Sequence, residues 1–232
     1  MTKEMPKWVA QKKLSEKREY EDVLLRTANS LNQIVRAMRR YEKRLKCFPA
    51  VDSAGLDKSP RGLSWRVHLL PELAQSKLYD QFHLDEPWDS DHNKPLIAKM
   101  PAIYGTDRAG KSAIHVFTGD GAPFGGILSL KLADIKDTLP YTAAIVEAGL
   151  DKAEPWTKPG GIPWNHENSV VELGTIGPEV PVAFFDAGAG WFPATIPHES
   201  LSKMIGHTDG NLPRNDILKW RHVAPNRMDV KR

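Results

Sequence analysis

Cysteine is almost missing from this sequence: Cys47 is the single one in 232 residues. That excludes an intramolecular disulfide scaffold and any cysteine-rich zinc site. Long apolar runs are missing too, since no stretch approaches the roughly 18 consecutive residues that a membrane-spanning helix needs. The N-terminal MTKEMPKWVAQKKLSEK has none of the apolar core of a secretory signal. Net charge is low, +3 from 32 Lys+Arg against 29 Asp+Glu, which does not suggest a protein coated in nucleic acid. Turn formers and aromatic anchors are plentiful, with 17 Gly, 18 Pro and 7 Trp, which argues against disorder. A soluble globular protein is expected, with room for one large domain or two small ones at roughly 100–200 residues each.

The charge is unevenly spread. Residues 1–46 carry 13 Lys+Arg and 6 Asp+Glu, net +7, which leaves 19 against 23, net -4, for residues 47–232. Within the basic part, Leu24, Leu31, Met38 and Leu45 recur by sevens, Ala28 and Val35 follow two of them by four, and Ile34 and Tyr41 add a neighbouring row. These positions form one stripe on a 3.6-residue helix. Arg26, Arg36, Arg39, Arg40, Lys43 and Arg44 mostly take the other faces. The pattern predicts one helix over 13–46, about 30 residues and roughly 45 Å long.

After Pro49, VDSAGLDKSPRG reads as a loop. SWRVHLLPELAQSKLYDQF reads as short helices, with Pro71 opening the second and Leu73, Leu78 and Phe82 facing inward. A further helical turn is expected from Lys94 to Met100. SAIHVFTG, GILSLKLADI, TAAIVEAG and VPVAFFDAG read as strands, with GWFPATI pairing back in a hairpin across Asp186–Gly190. HESLSKMIG has helix spacing at Leu201, Met204 and Ile205 with Gly206 as its stop. Long helix, small helices, then strands is an α+β plan. The boundaries expected are a polar extension at 1–12, one α+β domain at 13–211 and a polar tail at 212–232.

No motif completes a catalytic site. Thr118–Gly126, TGDGAPFGG, lacks the Lys-Ser/Thr pair of a phosphate loop and reads as a turn or flexible surface loop. Asp89-Ser90-Asp91-His92-Asn93 opens like a calcium loop, but Lys94 and Met100 stand where that loop needs glycine and a bidentate acid, so these residues read as helix caps. Cys47 follows basic residues that could lower its pKa, yet its place at a helix end favours a packing role. The histidines at 68, 83, 92, 115, 166, 198, 207 and 222 show no metal-binding spacing. Trp65, Trp88, Trp156, Trp164 and Trp191 read as core and corner anchors. Two alternatives stay open: a hydrolytic or metal-dependent enzyme built from Asp186, His198, His207 and Asp209, and, with weaker support, nucleic-acid binding through the basic helix.

The blocks LNQIVRAMRRYEKRLKCFPA and GLSWRVHLLPELAQSKLYDQFHLDEPWDSDHNKPLIAKMPAIY, followed by IVEAGLDKAEPWTKPGGIPWN and VPVAFFDAGAGWFPATIPHESLSKMIGHTDGN, resemble the bacterial family called domain of unknown function 1559. That family is abundant in planctomycetes and carries a C-terminal H-x9-DG signature. The likeness covers roughly residues 28–211. It implies a pilin-like fold, a long N-terminal helix laid on an antiparallel sheet, and a structural, pseudopilin-like role at the cell envelope. No catalytic residue, cofactor or metal ligand carries over, because the family defines none.

Where relatives have an apolar leader, this chain has the polar Lys3–Glu21. Tyr104-Gly105-Thr106 and Asp186-Ala187-Gly188-Ala189 also depart from the family's turns. The expectation is a soluble, non-enzymatic interaction module that uses Arg26, Arg36, Arg39, Arg40, Lys43 and Arg44 to meet a protein partner or a second copy. Its expected location is cytoplasmic as the sequence stands, and the envelope if the chain is a truncated precursor.

Overall fold

The computed structural model describes residues 7–49, 62–105, 109–119, 121–124, 130–164 and 172–208. Its first element is α1 (Lys7–Leu45), 39 residues and so about 58 Å long. The helix starts six residues before the expected 13, so half of the expected polar extension, residues 7–12, is helical. No Gly or Pro interrupts residues 7–45, and Lys12–Glu16 and Lys17–Glu21 ion pairs lie one turn apart along its exposed start. Pairs at that spacing each add a few tenths of a kcal/mol to a helix.

The stripe is buried at Leu24, Ala28, Leu31, Ile34, Val35 and Met38. Leu45, expected on it, is 45% exposed. The helix ends there, and Lys46 turns the chain away with a left-handed φ of 64° while its N–H closes on the Glu42 carbonyl at 2.7 Å. Before Tyr20 the helix stands clear of the body, with every side chain from Gln11 to Glu19 exposed.

Short elements follow: α2 (Trp65–His68), a 3-10 turn at Pro71–Leu73, α3 (Ser76–Tyr79), and 3-10 turns at Lys94–Lys99 and Ala102–Tyr104. The turns at 71–73 and 102–104 pack on the flank of α1, and Ala37, which lies off the stripe, is completely buried. Then come β1 (Lys111–Ser112), β2 (Ile114–His115), β3 (Phe117–Thr118), β4 (Ala143–Glu147), β5 (Glu154–Pro155), β6 (Ile162–Pro163), β7 (Glu179–Phe184) and β8 (Ala189–Pro193). The main sheet is antiparallel in the order β2-β4-β7-β8; β1 pairs with β5, and β3 runs parallel to β6.

VPVAFFDAG, TAAIVEAG and GWFPATI form strands as expected, with β7 and β8 paired from Glu179↔Pro193 to Ala183↔Ala189. Pro181 faces Trp191 there and has no N–H to offer β4, whose ladder to β7 stops at Val146↔Val182. GILSLKLADI is different. Residues 125–129 fall outside the described residues, and the rest enters a 3-10 turn at Leu132–Asp134, where the Asp134 carboxylate accepts the Lys131 N–H at 2.8 Å. Leu130, just before that turn, is buried, and its carbonyl accepts the Phe48 N–H at 2.7 Å.

Both faces of the sheet are covered. Ile145, Ala183, Phe185 and Ala189 join the cluster that holds the α1 stripe. Val146, Val180, Val182, Phe184 and Phe192 form a second cluster with Leu201, Met204 and Ile205 of α4 (His198–Ile205). A strand buried on both faces reads as a continuous apolar run, which is why VAFF shows so little alternation. The result is α+β, with α1 on one side of an antiparallel sheet and α4 on the other.

The core also encloses polar groups that composition does not foretell. Trp65 and Trp156 are fully buried and Trp164 nearly so, with Trp88 and Trp191 partly buried. Among them lies Arg66, whose Nε donates to the Ile114 carbonyl at 3.1 Å, as does Nη2, while Nη1 donates to Ser64 Oγ at 3.1 Å. Its guanidinium lies 4.6 Å from the centre of the Trp65 ring. Burial lowers its pKa to about 10, so it stays charged at neutral pH.

Two buried histidines make stability depend on pH. Burial holds His68 down to about 4, and burial with the nearby Arg66 charge holds His115 down to about 3. Above the ordinary histidine pKa of about 6.5, both states are neutral and the full stability is present. Below it the unfolded chain takes up protons that the folded chain refuses, so stability falls as pH drops from about 6.5 towards the folded values. Urea titrations at pH 7.5 and pH 5 should differ by about 2–4 kcal/mol in unfolding free energy. Equal stability at the two pH values would contradict neutral burial of these rings.

Candidate functional site

The six basic residues singled out from the sequence do not share one environment. Arg40 and Arg44 are held by the body. Arg40 Nη2 donates to the Glu72 carbonyl at 2.6 Å, and Arg44 Nε donates to Glu72 Oε1 at 2.9 Å. Arg40 Nε lies 3.8 Å from the other carboxylate oxygen. Glu72 stands at the first turn after Pro71, so these bonds staple that turn to α1. Arg44 also lies 5.6 Å from the Tyr41 ring centre. Burial, reinforced by Cys47 and Tyr79, pushes the Tyr41 phenol up to about 12, which keeps it a neutral hydroxyl.

Arg26, Arg36, Arg39 and Lys43 enter no ion pair among the described residues. Arg26, Arg36 and Lys43 are exposed and Arg39 is half-buried. Arg36 reaches a cleft of about 550 Å³ between α1 and the turns at 71–75 and 101–103. The wall opposite the helix is apolar at Leu73, Ala74, Pro101, Ala102 and Ile103 and polar at Gln75 and at Glu72, whose carboxylate Arg40 and Arg44 already hold, while Gln33 and Arg40 flank Arg36 on the helix side. The arrangement suits a carboxylate carried on a partly apolar surface, because a guanidinium offers a planar fork of donors while the floor takes the stem.

The other sequence candidates have structural duties. Cys47 is half-buried, and burial followed by the Glu42 charge pushes its thiol up, opposite to what the basic run suggests. Asp186 Oδ1 accepts the Gly188 N–H at 2.7 Å within the β7–β8 turn. His207 Nδ1 lies 3.0 Å from the Gly121 carbonyl, and since a carbonyl only accepts, Nδ1 carries the proton. His198 is exposed at the start of α4, on a separate cleft of about 480 Å³ floored by Leu173, Ile176 and Phe192. Asp209 lies outside the described residues. Among the described residues no three His, Cys, Asp or Glu side chains gather as metal ligands.

The glycine-rich segment is a turn, as expected, but not a free surface loop. Ala122 N–H closes on Gly119 O at 3.1 Å, and Phe124 is buried against Phe48 and Phe185 with ring centres 6.2 and 6.0 Å away. Asp120 and Gly125–Gly126 are outside the described residues.

Asn93 corrects another expectation. It does not cap the turn at Lys94–Lys99. It is completely buried, donates Nδ2 to the carbonyls of His83, Glu86 and Pro87 at 2.9, 3.3 and 3.1 Å, and accepts the His83 N–H at 3.0 Å. The segment 83–92 is folded around this one amide. His83 and His92 stack with ring centres 3.3 Å apart across it. The caps reading failed because a D-S-D-H-N string looks the same whether its last amide faces the helix or the preceding loop.

No helix among the described residues is long and apolar enough to cross a membrane. No curated protein and no solved structure matches the chain significantly. One family does: residues 26–104 match the model described as a protein of unknown function (DUF1559). That segment runs from the basic face of α1 through Glu72 and Asn93 to Tyr104, and over it the chain resembles the DUF1559 family.

Proposed function

We propose that this chain is a non-enzymatic structural or protein-interaction module of pilin-like layout, a derivative of a pseudopilin-like envelope protein, that meets acidic partners through the outer face of α1. The observation that carries this reading is the division within the basic residues. Arg40 and Arg44 are used up by Glu72, while Arg36, Arg39 and Lys43 enter no ion pair among the described residues, and Arg36 lines a cleft with a largely apolar wall. A rigid helix holding unpaired charges loses little conformational freedom on binding.

The test is binding of the intact protein to poly-glutamate, with duplex DNA of equal charge as the competitor polyanion. Poly-glutamate should bind with an affinity that falls steeply between about 50 and 300 mM salt. Arg36→Gln with Arg39→Gln should weaken binding at least tenfold while leaving the urea midpoint unchanged, since both side chains lie outside the core. Stronger binding to DNA than to poly-glutamate would favour the nucleic-acid reading, and no binding to either would refute the acidic-partner one.

A further inference from the structure

Two segments concentrate charge of opposite sign. Residues 36–46 contain six Lys+Arg and one acid, Glu42. Residues 80–93 contain five Asp+Glu and no Lys or Arg. Within the second, Asp85, Asp89 and Asp91 are exposed and enter no ion pair among the described residues; Glu86 is taken by His83 Nδ1 at 2.8 Å. No ion pair joins the two segments.

Both segments are stiff. The basic one is the last turns of α1 and the Lys46 that ends it. The acidic one is a loop whose carbonyls converge on buried Asn93, whose Trp88 N–H bonds the Gly62 carbonyl at 2.7 Å, and whose Ser90 Oγ accepts the Asn93 N–H at 3.1 Å. Three carboxylates are therefore presented in fixed positions by backbone that is already ordered.

We propose that the acidic partner of the Arg36 cleft is a second copy of this chain, docking its Asp85–Asp91 loop against Arg36, Arg39 and Lys43. The proposal rests on the acidic-partner reading above and names the partner. One molecule supplies both halves of the contact, in equal number and with opposite charge. Because the two halves are different surfaces, the contact is heterologous, and repetition builds head-to-tail chains or closes a ring. Exposed pairs of this kind are individually weak, so association depends on several acting together and is sensitive to salt.

Sedimentation of the full chain tests it. At about 20 mM salt the weight-average mass should rise with concentration above the 26.0 kDa of one chain, and return to it at about 500 mM. Arg36→Glu with Arg39→Glu should stay monomeric, and so should Asp85→Lys with Asp89→Lys and Asp91→Lys. An equimolar mixture of the two reversed variants should associate again, because each then offers the complement of the other. If the mixture stays monomeric, or if either variant alone associates like the wild type, the docking pair is wrong. A wild type that stays monomeric at low salt also overturns the proposal. If that monomer still binds poly-glutamate, the acidic-partner reading survives and the second copy is excluded; if it binds nothing, both fall. Arg36→Gln with Arg39→Gln provides a milder variant should the reversed one not fold, and it should weaken association at least threefold.

Discussion

Asn93→Asp is expected to lower the unfolding free energy by about 3–5 kcal/mol, although it changes a single nitrogen to oxygen. The side chain is fully buried and its Nδ2 donates to three carbonyls. A carboxylate has no proton to give them, so three acceptors lose their donor and a negative charge is placed against their oxygens. The protein can soften this only by keeping the new carboxyl protonated. Its pKa in the folded state would then lie above the unfolded value, so the variant's deficit, measured against wild type at the same pH, should shrink as pH falls. Asn93→Ala removes the donors without adding charge and should cost about 2–4 kcal/mol. Urea unfolding at several pH values reads both. A deficit under about 1 kcal/mol in Asn93→Asp would mean that the amide does not hold the loop in solution.

Arg66→Ala should be comparably damaging, about 3–5 kcal/mol. It opens a cavity under Trp65 and strips the Ile114 carbonyl and Ser64 hydroxyl of guanidinium donors. Arg66→Met separates the two contributions. It refills most of the volume and removes a desolvated charge, which hydrophobic replacements of buried ions often tolerate well. Urea titration should find that Met restores at least half of what Ala loses. If Met is as damaging as Ala, the hydrogen bonds dominate over packing; if both are within 1 kcal/mol of wild type, the buried arginine is dispensable.

These two positions also mark where the sequence stops being readable. The α1 stripe was legible because from Ala28 to Met38 its apolar residues share one cluster with the inner face of the sheet, and burial follows period there. Ala37 escaped because the flank it serves is covered by turns from distant sequence, and a lone alanine has no period. Arg66 sits in SWRVHLL between apolar residues, where a charged side chain reads as exposed; nothing local says that the Ile114 carbonyl, 48 residues on, will accept its hydrogen bonds. The basic face was legible as charge, but the capture of Arg40 and Arg44 was not. Glu72 looks like any acid in the first turn of a helix, and its bonds to α1 span 28 and 32 residues. The strand expected over GILSLKLADI falls partly on residues outside the described ones; beyond Leu130 the chain turns because the Asp134 carboxylate closes on the Lys131 N–H, a side-chain bond that apolar period does not register.

The free start of α1 has a mechanical consequence. A stiff helix gripped by the body only from Tyr20 onward behaves as a lever with its pivot at the edge of the core. Trp8 lies 12 residues out from that grip, about 18 Å at 1.5 Å per residue, so a tilt of roughly 10° at Tyr20 displaces it by about 3 Å. Whatever pulls on Trp8 or Leu14, which are 69% and 50% exposed, therefore applies a torque to Ala28, Leu31 and Val35. Ala183 and Phe185 share their cluster, so the sheet feels a tug at the helix tip as a twist of its own inner layer.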